Sequence, residues 1–305
     1  MEQLCHTERC SPSNALKLNL HMTRFLLTAD LHQFIPKWEQ LVEATLRERP
    51  DFLLIAGDLL PKTTHAAQRE FFPEMRRHLT RMKDEAGTRV LLYLGNDDGH
   101  PLEPLLDELQ TDGLCVNLND RVHREAGFVF CGMNRVRDYP FGYKHWCAPD
   151  GDFVVCPEQF GPAVTCNEHC EYVPIGNLHS YLSAQPSLLD RLNALKQQLQ
   201  PGEMERSIWM VHQPPSGLGM DVCGNGQRVG SPNVLRFIED HQPLFGLSGH
   251  IHESPHQPGG AWTAWVNHTR WFQPGQVTRQ LHCVRLEVAD RHAIQNVRHS
   301  VFGES

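Results

Sequence analysis

Short apolar runs alternate along the chain with longer stretches in which apolar positions recur every three to four residues. The pattern predicts a strand over 23–29, then a helix over 34–48 with Phe34, Trp38, Leu41, Val42 and Leu46 on one face. It goes on to predict a strand over 52–56, a helix over 66–84, a strand over 89–94 and a short helix over 101–110. Brief apolar runs separated by amphipathic segments are the signature of βαβ units, in which helices cover both faces of a parallel sheet. The core is therefore expected to be α/β.

A second half opens with the strand FVFCGM at 128–133. From about 139 to 177 no period is sustained, and the segment is rich in Pro, Gly, Cys and aromatics, which predicts an insertion or cap. Order returns with a helix over 187–199, strands at 207–211 and 244–248 around a helix over 232–241, and a closing β-hairpin formed by HCVRLEV and AIQNVRH. Residues 1–21 are polar and aperiodic and read as a disordered extension, which leaves 22–305 as a single domain.

Composition narrows the function classes. Across 305 residues, 28 Lys and Arg stand against 36 Asp and Glu, a net charge of −8 that disfavours general nucleic-acid binding. No apolar run approaches the roughly 18–20 residues of a membrane helix, and the N-terminus lacks the apolar core of a secretory signal, so a cytoplasmic location without a membrane partner is expected. Ten Cys are too dilute for a disulfide scaffold. Nineteen His are many, and only their placement can separate ligands from bystanders.

That placement is informative. The predicted strands end in Asp30-Leu31-His32, Gly57-Asp58, Gly95-Asn96-Asp97-Asp98, His212, and Gly249-His250-Ile251-His252. In α/β sheets the carboxyl ends of strands converge on one crevice, where ligands bind. Asp30, His32, Asp58, Asn96, His212, His250 and His252 would thus meet as oxygen and nitrogen donors without a thiolate. Such a set suits two divalent first-row ions better than one closed four-ligand zinc. Asp58 can bridge them, and two ions roughly 3.5–4 Å apart lower the pKa of a shared water toward neutrality and make hydroxide available. Gly57, Gly95 and Gly249 would let the backbone turn sharply beside the ions. Each element alone recurs by chance in a His-rich chain; the ordered series, each member following an apolar run, carries the inference.

The series TADLH, AGDLL, LGNDD, VHQPP and SGHIH resembles the calcineurin-like metallophosphoesterase superfamily over residues 23 to 252, and WFQPG at 271–275 is similar to its closing Asn-Pro-Gly segment. The resemblance implies a four-layer α/β/β/α sandwich with the metal site at the strand carboxyl ends. It also implies hydrolysis of a small phosphate ester with two Mn, Fe, Zn or similar ions. By position, Asp30, His32, Asp58 and His252 would hold the first ion, and Asp58, Asn96, His212 and His250 the second. Asn96, Asp97 and His250 are the candidate catalytic residues.

Two departures shape the expected substrate. The run Gly57-Asp58-Leu59-Leu60-Pro61-Lys62 lacks the Asp and Arg that follow in protein Ser/Thr phosphatases. Asp97 stands where many members carry a proton-donating His, and His100 offers an alternative donor. Members similar in this respect are prokaryotic phosphodiesterases, so a diester is expected ahead of a phosphorylated metabolite or nucleotide monoester; a scaffold that keeps the fold without turnover is the non-enzymatic alternative. In the insertion, Arg135 and Arg137 are candidate substrate ligands beside Tyr139, Phe141, Tyr143 and Trp146. Cys147, Cys156, Cys166 and Cys170, with His145 and His169 nearby, are candidate ligands of a structural zinc.

Overall fold

A computed structural model describes residues 22–33, 36–151, 156–290 and 293–304. The expected extension at 1–21 and Phe34 lie outside the described residues.

Alternation of side chains along each strand sorts the apolar residues into three packed layers. In the first half, Leu26, Leu53, Ile55, Val90 and Leu92 face the helices Pro36–Glu48, Phe72–Ala86 and Glu103–Thr111, while Phe25, Leu27, Phe52, Leu54, Leu91 and Tyr93 face inward. There they meet Phe128, Phe130, Ile208, Met210, Phe245 and Leu247 of a second sheet. The opposite faces of those strands, with Val129, Cys131, Trp209 and Val211, pack on the helices Leu188–Lys196 and Pro232–His241. The order is helix, sheet, sheet, helix, the four-layer sandwich that the resemblance implied.

The first sheet has seven strands, in the order Gly303–Glu304, Ala293–His299, Val284–Ala289, Met22–Thr28, Phe52–Ile55, Arg89–Leu92 and Val116–Asn117. The last four run parallel, and the closing hairpin adds antiparallel beside Met22–Thr28. The second sheet has six, in the order Thr263–Val266, Thr269–Phe272, Phe245–Leu247, Ser207–Val211, Phe128–Met133 and Arg121–Glu125. Its inner four are parallel. FVFCGM thus does not extend the first sheet. It pairs with Ser207–Val211, and its own predecessor is the half-exposed edge strand RVHRE, whose charged alternation hid it from the apolar pattern. The expected helix over 66–84 is interrupted, with separate segments at His65–Gln68 and Phe72–Ala86. Pro73 lies in the first turn of the second, where a missing N–H costs nothing. Among the described residues no helix is long and apolar enough to cross a membrane.

The segment over 139–177 contains a small antiparallel pair, Val164–Cys166 with Tyr172–Pro174. It is pinned to the core by a buried Lys144–Asp138 ion pair at 2.7 Å and by Trp146, whose Nε1 donates to the Asp98 carbonyl at 2.6 Å. The Asp98 side chain is itself fully buried and ties two strand-end loops together. Its Oδ2 accepts from Leu59 N at 2.9 Å and Gly95 N at 2.8 Å, and its Oδ1 from Leu60 N at 2.9 Å. A buried N–H deprived of its acceptor costs about 1–3 kcal/mol. Asp98→Ala, which orphans three, is expected to lower the unfolding free energy by roughly 3 kcal/mol or more; an unchanged urea midpoint would show that Asp98 does not hold these loops.

Candidate metal centre

Each donor leaves the carboxyl end of a strand. Asp30 and His32 follow Met22–Thr28, Asp58 follows Phe52–Ile55, Asn96 follows Arg89–Leu92, His212 follows Ser207–Val211, and His250 and His252 follow Phe245–Leu247. Three of these residues take left-handed backbone angles, with φ of 56° at Asp30, 53° at Asp58 and 69° at His250. Non-glycine residues seldom adopt that region, and the strain persists only where surroundings over-determine it. Here they do. Asp30 N donates to the Gly57 carbonyl at 3.1 Å, His250 N to Asp30 Oδ1 at 2.8 Å, and Asp97 N to Asp58 Oδ1 at 2.9 Å. Gly95 is required by contact: a Cβ there would lie 2.2 Å from Asp58 N and Oδ1.

Asp58 sits at the middle of the cluster. Its Oδ2 is 3.2 Å from His32 Nε2 and 3.5 Å from His212 Nε2. Asn96 Oδ1 lies 2.9 Å from His212 Nε2 and 2.6 Å from His250 Nδ1. The His32 and His252 rings stand edge to face, 5.7 Å between centroids. Ligand atoms of Asp30, His32 and Asp58 all fall within 4.8 Å of one another. The chemistry of the set fits divalent cations. Asp30 Oδ2 is buried without a hydrogen bond, and His32 meets Asp58 through Nε2 while its Nδ1 makes no hydrogen bond, an arrangement that is costly unless something else uses the carboxylate lone pair. At His212, Nδ1 lies 2.7 Å from the Ala56 carbonyl, a contact that fixes the tautomer and turns Nε2 toward Asp58, as outer partners of metal-bound imidazoles do.

Charge is distributed unevenly. Burial, reinforced by Asp58, pushes the Asp30 carboxyl up. Burial would also raise Asp58, but His212 and His32 outweigh it and hold that group well below the carboxylate range. Burial would lower His212, yet Asp58 lifts it to about 9, whereas burial and the neighbouring His212 bring His250 down to about 3. His212 thus holds a proton against Asp58 where a bound cation would take the proton's place.

Above the cluster opens a cavity of about 560 Å³, with His32, Asp58, Asn96, His250 and His252 in its floor and Asp30 and His212 fully buried beneath. Asp97 reaches the cavity and pairs with Lys62 Nζ at 2.9 Å, its Oδ2 lying 3.7 Å from His32 Nε2. Arg137 lines the cavity too, while donating to the Gly230 carbonyl at 2.6 Å.

The remaining expectations are corrected. Arg135 is turned away from the cavity, donating to the His145 carbonyl at 2.7 Å with its guanidinium 4.7 Å over the Trp146 ring; the apolar base of the insertion claims its stem. His100 stacks on His145 at 3.4 Å and meets the Tyr143 hydroxyl at 2.9 Å, so it is committed inside the insertion. Tyr143 and Trp146 point inward likewise, which leaves Tyr139 and Phe141 at the cavity. The four insertion cysteines do not gather into a zinc site. Cys147 packs with Val136, Tyr139 and Leu182, Cys170 joins the outer helix core, Cys156 is exposed, and Cys166 meets His100 and Tyr143. Of the two histidines beside them, His145 is taken up by that stack, and His169 is exposed next to Glu168. Among the described residues, Asp30, His32 and Asp58 form the one acid, imidazole or thiol group of three within ligating reach.

Three participants carry little or no mark in the sequence. Asp98 looks like a mere neighbour of Asp97 there, and its anchoring contacts exist only in the fold. Gln273, in the WFQPG segment, is buried and donates to the Gly249 carbonyl; the likeness of WFQPG to a motif is the one signal that could have found it. Phe160 lines the cavity from a stretch without periodicity, so no pattern marks it.

Comparison with known proteins places the chain. The model of the family described as calcineurin-like phosphoesterase matches residues 23–254. Among solved structures, TT1561 of Thermus thermophilus aligns with 92% of this chain and 99% of its own, at 15% identity and a TM-score of 0.53. A second crystal structure aligns with 91% and 99%, at 16% identity and a TM-score of 0.55. At such identity these likenesses concern the fold. No curated protein sequence matches significantly. The family model covers most of the chain, from the first strand through the second His of GHIH, and the chain belongs to the calcineurin-like phosphoesterase family.

Proposed function

We propose that this chain hydrolyses phosphodiesters at the strand-end cluster, with two divalent ions such as Mn, Fe or Zn. Asp30, His32, Asp58 and His252 would hold one ion, and Asp58, Asn96, His212 and His250 the other. The observation that carries the reading is the buried Asp30 Oδ2, left without a hydrogen bond within ligating reach of His32 and Asp58. Bound ions would polarise the phosphoryl oxygens and bring a shared water's pKa toward neutrality.

The chain's own groups do the rest. Asn96 and His250 line the cavity and would face a bound phosphate, and the Ala56 carbonyl and Asn96 hold the His212 ring in place. Asp97 and Lys62 stand together in the cavity lining, where the ammonium would offer positive charge to a developing anion. Burial would lower the Lys62 pKa, but Asp97 outweighs it and raises it, so the ammonium keeps its proton at neutral pH.

One feature favours a diester over a monoester. Tyr139, Pro140, Phe141, Pro157 and Phe160 form an apolar wall suited to an organic substituent on the phosphate. Purified protein with Mn should turn over bis(p-nitrophenyl) phosphate. Asp58→Asn should reduce kcat/KM by at least about a hundredfold, since even outer partners of metal ligands cost 10–100-fold. A wild type inert with Mn, Fe and Zn alike would refute the assignment. The kcat/KM for that diester should exceed that for p-nitrophenyl phosphate by about tenfold, roughly 1.4 kcal/mol of discrimination; the inverse ratio would make the chain a phosphomonoesterase.

A further inference from the structure

A line of aromatic rings runs outward from the metal centre. Tyr139 stands 5.7 Å from the His250 ring, Phe141 6.1 Å from Tyr139, and Phe160 5.6 Å from Phe141 at 80°. Tyr139 is buried, but Phe141 is 61% and Phe160 74% exposed, each far beyond what a phenyl ring used for packing would show. Both lie in the wall of the same cavity whose floor carries the metal donors. Lys62 bridges the two regions, with Nζ 2.9 Å from Asp97 and 6.0 Å from the Phe141 ring centroid. Asn225 and Gln227 line the same cavity; Asn225 Oδ1 accepts from Gln227 N at 3.0 Å, which leaves the Asn225 amide N–H groups and the Gln227 amide for the edge of a planar ligand.

The arrangement therefore has three zones: a cation-binding floor for a phosphate, an ammonium beside it, and two solvent-facing rings in a cavity that amides also line. We infer that Phe141 and Phe160 hold the base of a nucleotide, and that the substrate is a small nucleotide phosphodiester whose base stacks on these rings while its phosphate lies over Asp58. This rests on the phosphodiesterase reading above. Base-to-ring stacking tolerates any base, since each has a π-face, and the amides supply what edge recognition there is. A polymer is disfavoured by the net charge of −8, and a cavity of about 560 Å³ suits a ligand of nucleotide size.

The test compares substrates with the same leaving group. For the Mn-loaded protein, kcat/KM for the p-nitrophenyl ester of thymidine 5′-monophosphate should exceed that for methyl p-nitrophenyl phosphate. In Phe141→Ala and Phe160→Ala that ratio should fall by about five- to a hundredfold, mostly through KM. Calorimetric titration with adenosine 5′-monophosphate and ribose 5-phosphate gives a readout independent of turnover: the nucleotide should bind more tightly, and the two substitutions should erase the difference. Turnover of both esters at equal efficiency, or equal affinity for the two phosphates, would overturn the inference while leaving the phosphodiesterase intact. Base-dependent binding without turnover of any diester would support the aromatic site and defeat the catalytic reading instead.

Discussion

A carboxylate removed from water must be compensated by charge or by hydrogen bonds, and Asp58, 2% exposed, is compensated from three directions at once. His32 comes from the loop after Met22–Thr28, His212 from the end of Ser207–Val211, and the backbone of Asp97 from the loop after Arg89–Leu92. Those groups belong to both sheets. The sandwich cannot open at this end without leaving the charge of Asp58 unpaired, so the demand for its compensation also fixes how the two sheets meet.

The surrounding backbone bears the cost. Asp30, Asp58 and His250 are held in left-handed conformations that glycine would adopt freely, because only there do their side chains turn toward a common point. Gly95 takes the complementary role, giving up its Cβ so that Asp58 can close in. Strain at these three residues and a missing side chain beside them are two halves of one solution, and the packed strands behind them supply the rigidity that maintains it.

Asp98 extends this order outward. By accepting from Leu59, Leu60 and Gly95 it locks the loops carrying Asp58 and Asn96, and through its carbonyl it receives Trp146. The insertion is thereby registered against the strand-end cluster, which is why Tyr139 and Phe141 reach the cavity while Arg135, Tyr143 and His100 are absorbed in packing. Burial and Asp58 push the Asp98 carboxyl up to about 7, against the pull of its three N–H donors. The anchor is thus coupled electrostatically to the group it positions.

Local period alone was enough to set the alternation of strands and helices and to put Asp30, His32, Asp58, Asn96, His212, His250 and His252 at strand ends. Their convergence then follows from the rule that parallel strands deliver their carboxyl ends to one edge. The sheet to which FVFCGM belongs and the charged edge strand RVHRE were beyond that reach, since a strand's partner is chosen by packing across the core. So was the choice of which insertion residues face the cavity. Arg135 and Arg137 are two residues apart and look equivalent on paper, yet one caps Trp146 and the other lines the cavity. In a segment without periodicity, side-chain direction is set by contacts with residues far away in the chain, such as Asp98 and Gly230, and folding alone brings those contacts into being.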